Sequence, residues 1–376
     1  MDPVYLDHNA TTPVLPAVVD AMLPWLSQHF GNPSSSHVYG HRAREAVEIA
    51  RAKVAALIGC HPGEIYFTSG GTESNNLAIR GITAARPERT HVVTSVIEHP
   101  ATMEPCNYLE TNGYIISRVN VDESGMVRPD EIESALSNKS ALVTIMHANS
   151  ETGTIQPIPQ IAALAHDHGA LIHTDAAQST GKIDYTVDEL GVDLLSMVGH
   201  KMYAPKGIGA LYVRNGTSIK PQYLGGGHEK GLRPGTENVP YIVGLGEACE
   251  IARLEGEKVN RRIRRLRDDL WNRLREEIPG LVLNGHPELR LPNTLNIRFA
   301  GVSGNAILAH AREIAASTGS ACHAEDESAS EVIKAMGLSE KEALGSVRLS
   351  LGRGSTENDM QVAINSLRSA YLASIK

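Results

Sequence analysis

No stretch of the 376-residue sequence holds the roughly 18 consecutive apolar residues of a membrane-spanning helix, which excludes a helical membrane span. The first residues, MDPVYLDHNATTP, lack a basic flank followed by an apolar stretch, so no secretory leader is expected. The expected compartment is the cytoplasm, and a mature organellar form is equally compatible. Cysteine is scarce: Cys60, Cys106, Cys249 and Cys322 are scattered and form no CxxC pair. That usage suits a reducing compartment, offers no metal-ligand spacing and leads us to expect no metal. There is no Walker pattern, and no GxGxxG opens a helix after a strand, so nucleotide and dinucleotide readings lack their usual phosphate loops. Excess basic charge is also missing. With 35 Lys and Arg against 43 Asp and Glu, the net charge is −8, which argues against a nucleic-acid or anionic-membrane surface. The Arg-rich stretch at 261–277 interleaves acidic with basic residues, as a solvated helix face does.

What is present is a regular alternation. Apolar runs at 64–69, 90–97, 114–121, 141–148, 170–176, 194–198 and 209–214 read as seven strands, and helical patterns such as 42–59 and 158–169 lie between most of them. This predicts an α/β fold whose large domain is a mostly parallel seven-stranded sheet covered on both faces, with ligands beyond the carboxyl ends of the strands. A charged helical pattern at 247–277 marks passage into a second lobe with apolar runs at 291–299 and 346–352. We expect a large domain over residues 15–255 and a smaller α+β domain built from 1–14 and 256–376, which carries Cys322.

Two polar groups then stand out. Lys201 in SMVGHKMYAPKG and Asp175 in LIHTDAAQSTG each directly follow an apolar run, so each should emerge where a strand ends. A lysine amine can condense with an aldehyde, an aspartate can keep a ring nitrogen protonated, and pyridoxal phosphate needs both. The alternative is a surface lysine and a helix-capping aspartate. His99 follows a strand and can stack on a planar ring or move protons near neutral pH, unless it is a buried structural histidine. Gln178 can donate to a phenolic oxygen or simply end a helix. FTSGGTESNN is a strand, a Gly-rich turn and a helix start, where free amides attract a phosphate. Cys322 lies in a small, polar, loop-like stretch, where an accessible thiol can act as a nucleophile. Arg348 alternates with apolar neighbours and wants a carboxylate, either a ligand's or a structural partner's.

Ten landmarks occur together and in order: YLDHNATTP, FGNPSSSH, TSGGTESNN, EHPA, ETGTIQPI, HTDAAQ, GHK, RPGTEN, GSAC and VRLSLGR. In this the chain resembles the NifS/IscS-like cysteine desulfurases, a branch of the class V aminotransferase group, over nearly its whole length. The resemblance implies the aspartate-aminotransferase type of fold and pyridoxal phosphate carried on Lys201. It implies Asp175 on the ring nitrogen, Gln178 on the ring hydroxyl and His99 stacked on the ring. Gly71, Thr72 and His200 would hold the phosphate, with Thr236 reaching it from the other subunit of a homodimer. Asn32 and Arg348 would hold the substrate carboxylate, and Cys322 would take sulfur. The activity implied is conversion of L-cysteine to L-alanine with a persulfide on Cys322, passed to a sulfur-acceptor protein. Two positions depart from the commoner pattern. Ser150 stands where an asparagine is usual, leaving its contact to cofactor or substrate open, and Val198 stands where a phosphate-binding serine is common. VGHK, RPGTEN and Cys322-His323 also resemble selenocysteine lyases, so L-selenocysteine remains an alternative substrate. A different class V aminotransferase and a non-catalytic sulfur-transfer scaffold are the remaining alternatives.

Overall fold

The computed structural model describes residues 2–319 and 328–375. Strand β1 (Val4–Tyr5) precedes helices α1 (Pro16–Ser27) and α2 (Val38–Ile58). Strands and helices then alternate: β2 (Ile65–Thr68), α3 (Gly71–Ala85), β3 (His91–Ser95), α4 (Pro100–Thr111), β4 (Ile115–Val119) and α5 (Pro129–Ala135). The alternation continues through β5 (Ser140–Thr144), α6 (Ile158–Asp167), β6 (Leu171–Asp175), α7 (Val187–Leu190) and β7 (Leu194–Val198). Strand β8 (Gly209–Val213) returns without a crossover helix, and the long helix α8 (Val239–Glu277) follows.

These seven strands form one sheet in the order β2-β8-β7-β6-β5-β3-β4. All run parallel except β8, which is antiparallel to both β2 and β7. The exception has a local cause: a short loop joins β7 to β8, whereas a parallel neighbour requires a crossover of a dozen or more residues. Both faces are covered, so the strands read as unbroken apolar runs, and neighbouring residues go to opposite cores. Val92 and Leu194 pack with Leu77, Ala78 and Leu109 of α3 and α4. Val93 and Leu195 pack with Val47, Ile161, Ile242 and Leu245 of α2, α6 and α8.

The remaining elements are β9 (Val282–Asn284), β10 (Thr294–Arg298), α9 (Gly304–His310), β11 (Ile314–Ala315), α10 (Glu331–Ala335), α11 (Glu340–Ala343), β12 (Ser346–Ser350) and α12 (Glu357–Ser374). An antiparallel sheet β12-β10-β9 and a parallel pair β1-β11 surround a second apolar cluster, in which Leu6 packs with Ile263, Leu270, Leu349 and Leu367. Helix α8 serves both clusters, the sheet core through Ile242 and Leu245 and the second through Ile263, Leu266 and Leu270. Residues 7–12 cross between them: Asp7 bridges to Ser350, while Thr12 donates its amide to the His200 carbonyl at 2.9 Å.

Candidate active site

The carboxyl ends of β2, β3, β5, β6 and β7 deliver most of the predicted residues to one edge of the large sheet. Lys201 lies in the single turn Gly199–Lys201 directly after β7. Its half-buried Nζ donates to the Asn9 carbonyl and, at 2.8 Å, to the Ala10 carbonyl. Burial and then the Arg348 charge lower its pKa to about 8, against the opposing pull of Asp7 and Asp175. About a tenth of the amine is therefore neutral and nucleophilic at pH 7, far more than for an ordinary lysine.

Asp175 ends β6 and is buried. Its Oδ2 accepts from Asn75 Nδ2 at 2.7 Å, and its Oδ1 accepts the Ala177 amide at 2.9 Å. Gln178 Nε2 donates to the same Asn9 carbonyl that receives Lys201, at 3.0 Å. His99 caps α4, with Nδ1 accepting the Ala101 amide at 3.1 Å. That bond assigns the proton of the neutral ring to Nε2. The residue is open to solvent, yet surrounding protein lowers its pKa by desolvation, with Asp175 raising it and Lys201 lowering it further. A ring exposed within a concavity has both properties.

The start of α3 carries Gly71 and Thr72. Its N-cap is Gly70, with φ of 147° and no side chain to satisfy the first amides. Only glycine readily takes that backbone conformation. A Cβ on Gly71 would lie 3.8 Å from Val198 Cβ, so the valine flanks the helix start and supplies no donor. His200 Nδ1 is 3.1 Å from Thr11 Oγ1. Burial and the charges of Lys201, Lys206 and Lys182 push its pKa down to about 4, which leaves a neutral imidazole.

Arg348, on β12, is buried. It donates from Nη2 to Asp7 Oδ1 at 2.7 Å and from Nη1 to the Ser150 carbonyl at 3.1 Å, while its buried Nε has no partner. Ser150 joins the site through that carbonyl, which also accepts from Asn9 Nδ2 at 3.0 Å. Two expected residues stand apart. Asn32 is exposed and its Oδ1 accepts the Ser34 amide at 2.9 Å. Thr236 is exposed and lines a different cavity with Thr68, Ser69 and Arg233. Within one chain the fold joins neither to Lys201. Cys322 lies outside the described residues. Of the other cysteines, Cys106 and Cys249 are buried and Cys60 is partly so, and burial raises all three thiols.

Sequence reasoning missed Asn9, Asn75 and Lys182. Asn9 receives Lys201 and Gln178 on its carbonyl and Lys182 on Oδ1 at 3.2 Å. Its motif was visible, but nothing in the spacing tied it to a lysine 192 positions away.

This donor set fits pyridoxal phosphate: an amine of lowered pKa, a buried carboxylate, an open imidazole, an uncapped glycine-led helix start and an arginine with an unspent Nε. The family described as aminotransferase class-V matches residues 4–362. The chain is 46% identical to "Cysteine desulfurase IscS" of Dictyoglomus turgidum, over 97% of this chain and 93% of that one. It is 47% identical to "Cysteine desulfurase IscS" of Methanosarcina thermophila, over 95% and 89%. Among solved structures, a "NifS-like protein" superposes with a TM-score of 0.92 at 35% identity, covering 100% of both chains. "SspA in complex with cysteine" gives 0.83 at 38% identity, covering 94% of this chain and 100% of that one.

Proposed function

The chain belongs to the class-V aminotransferase family and is a pyridoxal-phosphate-dependent cysteine desulfurase, and on that premise we propose how its residues divide the work. Bound pyridoxal phosphate supplies an electrophilic aldehyde and an electron sink for bonds at the substrate Cα. Lys201 would carry the cofactor and, as a free amine, would take the substrate Cα proton on Nζ. Asp175 would hold a proton on the ring nitrogen, Gln178 would donate to the ring hydroxyl, and His99 would lie against the ring and move protons through Nε2. Gly71, Thr72 and His200 would hold the phosphate. Arg348 and Asn32 hold the substrate carboxylate. Cys322 Sγ takes the substrate sulfur, so that L-cysteine and the Cys322 thiol become L-alanine and a Cys322 persulfide.

The observation that carries this reading is the amine of Lys201, held by the Asn9 and Ala10 carbonyls, lowered to about 8 and within reach of the Asp175 charge. The names of the curated relatives favour sulfur over selenium. A homodimer is part of the reading, because Thr236 and Asn32 lie away from Lys201 in one chain and exposed Phe30, Tyr39 and Leu224 offer apolar surface. The persulfide would pass to a sulfur-acceptor protein, such as one that builds iron–sulfur clusters. No helix among the described residues is long and apolar enough to cross a membrane, and we place the enzyme in the cytoplasm. The clusters on the two faces of the large sheet support a large domain over 15–255, and the cluster around Leu6 supports a small one from 1–14 and 256–376.

The test is incubation with L-cysteine, quantitation of alanine and mass spectrometry of the Cys322 peptide. Stoichiometric alanine and one added sulfur are expected. Cys322→Ser should retain the cofactor's visible absorbance and lose persulfide. Undiminished sulfur release by that variant would defeat the assignment of Cys322, and absence of alanine from the native chain would defeat the activity itself.

A further inference from the structure

Lys182 lies four residues beyond Gln178, in the turns after β6, and no role above uses it. Its Nζ donates to Gln178 Oε1 at 3.0 Å and to Asn9 Oδ1 at 3.2 Å. Asn9 closes the circuit. Its carbonyl accepts from Lys201 Nζ and from Gln178 Nε2, and its side chain has no freedom left. Oδ1 also accepts from Asn293 Nδ2 at 2.9 Å, while Nδ2 donates to Thr294 Oγ1 at 2.8 Å and to the Ser150 carbonyl. Two lysines thus grip two ends of one buried asparagine and line one cavity of about 40 Å³, with His8, Asn260 and Tyr203 in its wall.

We infer that Lys182 is a positioning residue for Lys201: its amine fixes the amide orientations of Asn9 and Gln178, and within the shared cavity charge on Lys201 disfavours charge on Lys182. The inference rests on Lys201 being the amine that carries the cofactor. An ordinary buried lysine would seek a carboxylate, whereas both acceptors here are amide oxygens. The charges facing Lys182 are cationic: Lys201 from the turn after β7 and Arg348 from β12. Asp7 is engaged by Arg348, and Arg353 on the cavity wall is paired with Glu255. His8, from the crossing segment, is itself depressed by burial and by Lys182. Burial first, then Lys201 and Arg348, lower Lys182 to about 7. Repulsion between two amines is mutual, so they titrate as a coupled pair. Discharging one favours protonation of the other, so the loss of charge at Lys201 on cofactor attachment should draw a proton onto Lys182.

The experiment is competitive acetylation of the full chain across a pH series, with each lysine's midpoint read from its peptide by mass spectrometry. In cofactor-stripped protein, Lys182→Arg, which keeps a charge where Lys182 has already lost its proton, should lower the Lys201 midpoint by about one pH unit, a tenfold gain of neutral amine below it. Lys182→Met, which adds no charge, should leave the midpoint near its native place. In the native chain, loading the cofactor should raise the midpoint of Lys182 itself by a similar amount. An unmoved Lys201 midpoint in folded Lys182→Arg overturns the proposal, and so does a Lys182 midpoint indifferent to loading. The second measurement needs no variant and decides the matter if Lys182→Arg does not fold. Neither measurement uses turnover, so their failure leaves the desulfurase reading intact, whereas failure of that reading appears as missing alanine.

Discussion

Asp7 holds Nη2 of Arg348 at 2.7 Å, so the guanidinium expected to bind a substrate carboxylate already has a carboxylate on one arm. The arrangement orients the fork and leaves the buried Nε without a partner. A substrate carboxylate would use Nε or share the arm that Asp7 occupies. Arg348→Ala should therefore raise KM for L-cysteine by roughly 10- to 150-fold, the range for a hydrogen bond to a charged group. Arg348→Lys should recover only part, because an ammonium cannot reproduce the planar fork. Steady-state kinetics on the two variants check this, and an unchanged KM in the alanine variant would remove Arg348 from substrate binding.

Gly70 sits at φ 147° immediately before α3, and a Cβ there would meet nothing within 4 Å. The cost of a side chain is therefore backbone strain alone, on the order of 1–3 kcal/mol. Gly70→Ala should tilt the first turn of α3 and weaken cofactor affinity about tenfold, read by titrating stripped protein with pyridoxal phosphate. Gly354→Ala, at an exposed site of ordinary φ, serves as the control. Equal affinities in the two variants would mean that the start of α3 does not hold the phosphate.

His147 is buried, its Nδ1 has no partner, and desolvation lowers its pKa from 6.5 to about 4. The unfolded chain binds a proton at this position near pH 6.5 and the folded chain does not until about pH 4. Stability from this group is complete above the upper value and is lost as pH falls towards the lower one, on the order of 3 kcal/mol in all. His173 is shifted in the same direction by the same cause. His147→Phe should make the acid-side loss of stability shallower, measured by urea unfolding at about pH 7 and about pH 5. Parallel slopes in variant and native chain would show that His147 is not the proton acceptor.

Thr236 and Lys201 stand apart within one chain, which makes the homodimer testable by complementation. Thr236→Glu should repel the phosphate held at the partner's Lys201, and Lys201→Ala should remove the amine. Each homodimer should be inactive. After mixing and subunit exchange, about a quarter of native activity should return, because half the dimers are hybrids and each hybrid keeps one intact site. No recovery despite proven exchange would mean that a single chain supplies both residues to each site.

Much of this was legible in the sequence. Six of the seven strands fall within their apolar runs and β5 begins one residue before its run, because a sheet covered on both faces needs unbroken apolar segments. Asp175 was readable as a polar residue at the end of one such run, and Lys201 as one shortly after another. The antiparallel direction of β8 was not, since an apolar run carries no sign of direction. Nor were the partners that hold the site in place. Lys201 meets Asn9 across 192 positions, Lys182 meets Asn9 across 173 and Arg348 meets Asp7 across 341, and periodicity carries no information at those separations. The resemblance named Arg348 as a carboxylate binder but gave no hint that Asp7 would occupy it first.

Helix α8 runs unbroken for 39 residues, about 58 Å at the usual rise. It acts as an axle shared by both cores. A swing of one core against the other at that point would sever ladder bonds in the middle of the helix, so any compliance between them has to reside in the crossing strap at residues 7–12, whose carbonyls also cradle the reactive amine.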